Sequence, residues 1–187
     1  MKKFELTAES KNNIFGKKLF RIKALISFGD VEEGETGGWI EKEENLEQSS
    51  GNAWVYGDAE VSGNAEVSGN ARVSGDAEVY GNAWVYGDAG VSGDAEVSGD
   101  ARVYGNAEVS GNADYTTIHG FGTQFRTTTF FQCEDKQIRV SCGCFLGTIP
   151  EFREQVKNTR EGKIAEEYLM IADLMEKHFV KEKESGE

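Results

Sequence analysis

Hydrophobic and polar positions recur with a period of six residues between Gly51 and Thr116. The phrase Gly-(Asn/Asp)-Ala-x-Val-(Tyr/Ser) occurs eleven times there without an insertion, and the last copy departs from it. Ala and Val stand two positions apart, so in an extended segment both side chains point to the same side. The residue between them varies and points the other way, which is typical of a half-buried strand. Each phrase therefore predicts a short strand and a corner, where Gly adopts a positive φ freely.

The phrase closely resembles the hexapeptide repeat of left-handed parallel β-helices. In that repeat an aliphatic residue is followed four positions later by a small one, as Val55 is followed by Ala59. The resemblance implies a mainly β fold with three phrases, or 18 residues, in each coil and between three and four coils. The left hand of the winding comes from the resemblance and not from the spacing. Disorder is the alternative for a Gly-rich acidic segment, but disorder does not require Val at every sixth position.

Residues 1–50 differ in composition from the repeats and predict an N-terminal β cap. Residues 17–25 alternate between apolar and polar side chains and predict a strand, with residues 4–6 as its partner. The segment Gly37-Gly38-Trp39-Ile40 leads into the solenoid, which we predict to span residues 51–116. Such a cap covers the otherwise open edge of a stacked sheet.

Residues 117–187 predict a ββαα domain that caps the other end of the repeats. Residues 127–133 and 138–142 predict two strands joined by a hairpin turn. Thr148 and Glu151 have the spacing of a capping box, so a helix is expected to begin there. A second helix is expected after Gly162, followed by a charged tail at residues 181–187.

Three stretches extend the resemblance to nearly the whole chain. They are KLFRIKAL at residues 18–25, GGWI at 37–40, and TTTFF at 127–131 with SCGCF at 141–145. With these stretches the chain resembles a family of uncharacterised proteins that is common in bacteriophages and prophages. The resemblance implies a viral origin and a location in the bacterial cytoplasm, and it implies no known active site.

Composition argues against several classes of function for this chain. The chain has 187 residues and a net charge of -13, so its overall field opposes direct binding to nucleic acid. No apolar run approaches the length of a membrane span, and the N-terminus lacks the apolar core of a signal peptide. Three Cys residues, an odd number, favour a reducing cytoplasm over a disulfide framework.

Residues 18 apart are expected to stack in columns along the solenoid, about 4.8 Å apart. One face and its corner are then acidic, and we predict that they bind a partner with a basic surface. This predicted acidic face consists of Asp58, Glu60, Asp76, Glu78, Asp94, Glu96 and Asp114. The other faces carry aromatic and arginine side chains that anchor protein interfaces, and they predict a homo-oligomer, either a trimer or a dimer. Its predicted interface consists of Trp54, Arg72, Tyr80, Trp84, Tyr86, Arg102 and Tyr104.

Candidate chemistry lies after the repeats. His119 is the weak candidate for a catalytic base, because hexapeptide-repeat acyltransferases use a His and the repeats contain none. The three cysteines are weak candidates for a metal site, since zinc usually takes four ligands. No cofactor is expected. A loop rich in backbone and hydroxyl donors predicts a possible anion or ligand site. The cysteines are Cys133, Cys142 and Cys144. The residues of the predicted anion site are Gly120, Gly122, Thr123, Arg126, Thr127 and Thr128.

These observations favour a non-catalytic binding protein of phage type. It would oligomerise through its β-helix and bind or block a host factor. Since acidic columns can imitate a phosphate backbone, the host factor could be a defence protein that binds nucleic acid. A hexapeptide-repeat acyltransferase and a passive phage structural or scaffold module are the alternatives.

Overall fold

The computed structural model describes residues 2–179. The chain forms two compact units, Met1–Asn112 and Ala113–Glu187. The expected charged tail at residues 181–187 lies outside the described residues.

The first unit is a parallel β-solenoid preceded by an antiparallel cap. Each repeat contributes a two-residue strand built from the variable residue and the following Val. These strands are β4 Trp54–Val55, β5 Glu60–Val61, β6 Glu66–Val67, β7 Arg72–Val73, β8 Glu78–Val79, β9 Trp84–Val85, β10 Gly90–Val91, β11 Glu96–Val97, β12 Arg102–Val103 and β13 Glu108–Val109.

Each strand from β4 to β10 pairs in parallel with the strand three places later in the chain. This pairing confirms a solenoid with 18 residues per coil and about four coils. Trp54 is paired with Arg72, Arg72 with Gly90, and Gly90 with Glu108. The backbone bonds join neighbouring coils, as in the bond from Trp84 N to Ala101 O at 2.9 Å. The hand of the winding stays a prediction.

The Val and Ala side chains fill the interior of the solenoid, as the repeat predicts. All Val residues of the repeats are fully buried, and the Ala residues from Ala53 to Ala107 are at most 3% exposed. The corners require Gly because adjacent coils approach closely there. Gly69 has a φ of +69°, and a Cβ on it would stand 2.9 Å from the backbone N of Gly87 in the coil below.

The cap consists of β1 Phe4–Asn12, β2 Lys18–Ala24 and β3 Thr36–Ile40. The strands β1, β2 and β3 are antiparallel, and β3 then pairs in parallel with β5, so the cap extends one face of the solenoid. Ile40 pairs with Val61 and Leu46 with Val67. These two residues therefore occupy Val positions of an irregular first coil.

The second unit is a meander packed against two helices. In its described part the strand order is β14–β15–β16–β17, where the sequence predicted two strands followed by the helices. The elements are β14 Tyr115–Phe121, β15 Arg126–Gln132, β16 Ile138–Cys142, β17 Phe145–Thr148, α1 Ile149–Thr159 and α2 Gly162–His178. The sequence did not predict the two outer strands, because the register of β14 shifts near Gly120 and β17 is short.

Side chains from both helices and the central strands make the core of this unit. The ring of Phe152 on α1 meets Phe130 and Tyr168 edge-on, with centroids 6.3 and 5.8 Å apart. The capping box that begins α1 is confirmed: Thr148 Oγ1 accepts from Glu151 N, and Glu151 Oε2 accepts from Thr148 N. None of the helices in residues 2–179 is both long and apolar enough to cross a membrane.

The three corners of the solenoid differ in which side chains they stack. In two of them each Asn amide donates to the Asn or Asp one coil below, at 3.0 to 3.2 Å. These bonded columns are Asn52–Asn70–Asp88 and Asn64–Asn82–Asp100. The third corner stacks Asp58, Asp76 and Asp94, whose carboxylates can only accept. Stacked carboxylates repel and cannot bond to one another, so these three aspartates do not form the coil-to-coil amide bonds of the other two corners. Asp58 instead accepts a hydrogen bond from Trp39 Nε1 of the cap at 3.4 Å.

The corner columns predict opposite effects for two matched substitutions. Asn82→Asp removes the bond to Asp100 and stacks two carboxylates, so the free energy of unfolding should fall by about 1 kcal/mol. Asp76→Asn places an amide above Asp94 and should raise it by about 0.5 kcal/mol. Urea unfolding at neutral pH measures both. Equal effects of the two variants would show that the corner side chains do not determine stability.

Candidate functional site

The acidic face is partly assembled as predicted. The parallel register stacks Glu60, Glu78 and Glu96 on β5, β8 and β11, and we call these three residues the acidic column. Asp58, Asp76 and Asp94 are exposed at the preceding corner. Asp114, the predicted seventh member, belongs to the second unit and is only 7% exposed. Its backbone O accepts a hydrogen bond from Gln132 N in β15, so its backbone belongs to the meander.

The acidic column is half-buried and not an open face, because the chain covers it with its own hairpin. Lys11 near the end of β1 places Nζ 2.8 Å from Glu60 Oε1, and the Glu60 side chain is only 17% exposed. Phe15 in the turn between β1 and β2 packs on Tyr80, with ring centroids 5.0 Å apart. The Tyr80 hydroxyl in turn donates to Glu96 Oε1 at 3.2 Å.

The negative charge of Glu78, at the centre of the acidic column, is unfavourable in the folded protein. Burial raises the pKa of Glu78, and the neighbouring carboxylates of Glu60 and Glu96 raise it further, whereas Lys11 acts in the opposite direction. Lys11 forms its ion pair with Glu60, at the upper end of the column. The lower part of the column therefore carries like charges that Lys11 relieves only weakly.

The predicted aromatic and arginine interface divides into separate places. Trp54 is fully buried, so its assignment to an oligomer interface was wrong. Residues of the cap fold over it: the rings of Phe4 and Phe28 meet its indole edge-on at 6.2 and 5.5 Å. Arg72, one coil below Trp54, forms an ion pair with Asp30 at 2.9 Å. That face of the solenoid therefore belongs largely to the cap.

A compact set of exposed and half-buried side chains remains on the sheet of β6, β9 and β12. Its outer column is Glu66, Trp84 and Arg102, and beside it Tyr86 and Tyr104 stack with centroids 4.6 Å apart and rings 7° from parallel. Trp84 is 45% exposed, and the Arg102 guanidinium lies 5.3 Å from its ring centroid. We call these five residues the aromatic–arginine face. Tyr80, predicted with them, lies in a different column beside Phe15.

A cavity of about 110 Å³ in the second unit includes part of the predicted anion site. Thr123 and Arg126 line it together with Arg160 from the end of α1 and Tyr168 from α2. Gly122 leaves space for the Tyr168 hydroxyl, because a Cβ on it would stand 2.6 Å from that oxygen.

The other members of the predicted anion site have different neighbours. Gly120 lies at the register shift of β14, with a φ of +91°. The Thr127 hydroxyl lies 3.0 Å from Nδ1 of His119, and Thr128 is buried and donates to Cys142 Sγ. His119, the candidate base of the transferase alternative, is exposed on β14.

The three cysteines occupy different environments. Cys133 is buried, and burial raises the pKa of its thiol to about 11, whereas Cys144 is exposed. Cys142 lies between these extremes and accepts the hydrogen bond of Thr128. Among residues 2–179 no group of three or more His, Cys, Asp or Glu side chains is arranged to hold a metal ion.

Sequence reasoning missed the residues that reach these places from distant parts of the chain. Lys11 and Phe15 lie in the cap hairpin, and Arg160 lies 34 positions after Arg126. A local signal was available in the apolar pair Ile14–Phe15, which directly follows the polar Lys11-Asn12-Asn13 of the predicted loop.

The acidic column predicts that Glu78→Gln stabilises the protein at neutral pH. A raised pKa means that ionised Glu78 is less favourable in the folded protein than in the unfolded chain. The gain should shrink as the pH falls from the raised pKa of folded Glu78 to the ordinary glutamate pKa, and it should vanish below that pKa, since Glu78 is then protonated in both states. Urea unfolding at pH 7 and pH 4 measures it. Glu66→Gln is the matched control, because Trp84 and not a glutamate lies below it. A pH-independent gain for Glu78→Gln would contradict this account.

Comparison with known proteins gives no family for the chain. No family model matches it, and no curated protein matches it. The structure offers three candidate binding places: the acidic column with its corner, the aromatic–arginine face, and the cavity of the second unit.

Proposed function

We propose that the protein is a non-catalytic binding protein that self-associates through the aromatic–arginine face and captures a protein with a basic surface along the acidic column. The contact of Lys11 with Glu60 carries this proposal. It is an intramolecular example of a lysine bound to the column, at an Nζ to Oε1 distance of 2.8 Å. A basic partner would extend the same contact to the lower carboxylates.

The lower part of the acidic surface supports binding of further cations. Glu78 and Glu96 are stacked, and Asp76 and Asp94 are exposed beside them. One Glu and one Asp per coil give about one charge per 2.4 Å of axis, if coils are about 4.8 Å apart. Duplex DNA carries about one per 1.7 Å. The charge density thus approaches that of nucleic acid, which favours a partner that normally binds phosphates.

The resemblance to phage proteins suggests the source of this partner. In a virus, an acidic surface of this density would serve to occupy a host protein that binds nucleic acid, such as a defence nuclease. The net charge of -13 would accelerate association with such a basic surface.

The arrangement of the aromatic–arginine face favours a second copy of the chain as its occupant. Trp84 is the centre of its column, with Glu66 one coil above and Arg102 one coil below. A two-fold axis through Trp84 would pack the two indoles together. It would also bring each Arg102 against Glu66 of the other copy, as an isologous interface requires. We therefore propose a dimer from the two alternatives that the sequence left open.

The dimer predicts a charge-swap rescue. Arg102→Glu should weaken self-association at least tenfold, because it places two acidic side chains against each other. Glu66→Arg combined with Arg102→Glu should restore it, and Trp84→Ala should abolish it. Sedimentation equilibrium over a range of concentrations measures the dissociation constants. Glu108→Arg, on another face, is the control. A monomeric wild-type protein, a trimer, or a double variant no better than Arg102→Glu would contradict the two-fold arrangement.

Capture of a basic partner predicts a position-specific effect of charge reversal. Asp76→Lys with Asp94→Lys should eliminate salt-sensitive capture of basic proteins from a bacterial lysate. Asp88→Lys with Asp100→Lys changes the net charge equally at other corners and should retain it. Duplex DNA should compete with the solenoid for each captured protein, since both would occupy one surface. Equal losses in the two double variants, or capture that DNA leaves unchanged, would contradict the proposal.

A further inference from the structure

The charged side chains that line the cavity of the second unit are basic, although the protein as a whole is acidic. The chain carries 33 acidic and 20 basic residues, yet the cavity is lined by Arg126 and Arg160 and by no Asp or Glu of the described chain. Both arginines are exposed, so water screens their like charges in part, and an anion between them would remove the remaining repulsion. The arrangement therefore favours a negatively charged occupant.

The backbone makes room for the first of these guanidinium groups. Gly143 follows β16 with a φ of +63°, and a Cβ on it would stand 2.5 Å from Arg126 Nη1. A side chain at position 143 would displace the guanidinium from the cavity. The combination of a positive φ and this close approach explains why Gly stands between two cysteines.

The second guanidinium is held by the end of a helix. Arg160 is the C-cap residue of α1, and its Nη1 donates to Thr159 O at 2.9 Å. The carbonyl groups at a helix C-terminus carry partial negative charge, which would oppose an anion. The bond from Arg160 offsets that charge locally, and the guanidinium has further N–H groups that can point to a ligand.

The remaining lining defines the size and polarity of the ligand. Thr123, Gln124 and Gln155 supply hydroxyl and amide groups, and Phe145 and Phe152 close the apolar side. The Thr159 hydroxyl also lines the cavity, but it donates its hydrogen to Gln155 O at 2.6 Å. The volume of about 110 Å³ is well below the roughly 300–1,000 Å³ of pockets for drug-sized ligands. Arg binds both carboxylate and phosphate oxygens in bidentate fashion, and donors that approach from several directions match the tetrahedral oxygens of a phosphate.

We propose that this cavity binds a small tetrahedral oxyanion of the phosphate type between Arg126 and Arg160. The ligand sits against the aromatic wall and takes further hydrogen bonds from the side chains of Thr123, Gln124 and Gln155. The buried Tyr168 hydroxyl is held in place by its bond to Phe121 O at 3.2 Å and forms the floor. The site shares no residue with the acidic column or the aromatic–arginine face.

Phosphate titration of the full chain tests the site. Isothermal titration calorimetry with inorganic phosphate should give one site per chain in the millimolar range or tighter. Arg126→Gln and Arg160→Gln should each weaken binding at least tenfold, because each removes a charge-assisted contact. Lys157→Gln removes the same charge from an exposed position on α1 and should change the affinity less than twofold. Far-UV circular dichroism verifies that all variants fold.

The thiol of Cys144 gives a second measurement at the cavity. This exposed side chain lines the cavity, whereas Cys133 is buried with a raised pKa and should react slowly. Phosphate should slow alkylation of Cys144 by iodoacetamide in the wild type and in Lys157→Gln, but not in either arginine variant. Acetate at the same concentration should protect less. No binding below 10 mM phosphate, equal affinities of all variants, or equal protection by acetate would each overturn the proposal.

Discussion

The structure of the first unit depends on the fixed register between coils. Backbone hydrogen bonds place each residue over the one 18 positions later, as Trp84 lies over Arg102. Every side chain therefore meets a defined neighbour about 4.8 Å away. Identical neighbours are favourable where they can hydrogen-bond or stack, as in the parallel rings of Tyr86 and Tyr104. They are unfavourable where both carry the same charge. The register thus turns a choice of residue at one repeat position into a property of a whole face.

In the acidic column the fixed register lowers stability, because it stacks carboxylates on one another. Burial and like charges act together on Glu78, and a sequence selected for stability alone could place Gln or Thr there. The chain instead covers the column with its own hairpin, which supplies Lys11 to Glu60 and Phe15 to Tyr80. The hairpin relieves the upper end and leaves the lower end acidic. This asymmetry favours recognition of a cationic surface over a purely structural role for the column.

The sequence was sufficient to predict the features that the six-residue period determines. It was not sufficient to predict contacts between segments that are distant along the chain. The columns, the buried Val and Ala residues and the capping box of α1 follow from local spacing, and the structure contains them, except that Asp114 belongs to the second unit and not to the acidic column. The burial of Trp54 does not follow, because it depends on Phe4 and Phe28 folding back over the first coil. The repeat pattern makes position 54 an outward one, and only the tertiary contact makes it part of the core.

The cavity illustrates the same limit in the second unit. A loop with one arginine suggested an anion site, but a single exposed guanidinium binds weakly. The site becomes specific only when α1 ends beside β15 and brings Arg160 near Arg126, and Gly143 must leave room for the guanidinium. These three residues come from three elements, so no local pattern links them. An acidic chain that concentrates two arginines around one small space would raise their mutual repulsion without benefit, unless a ligand restores the charge balance there.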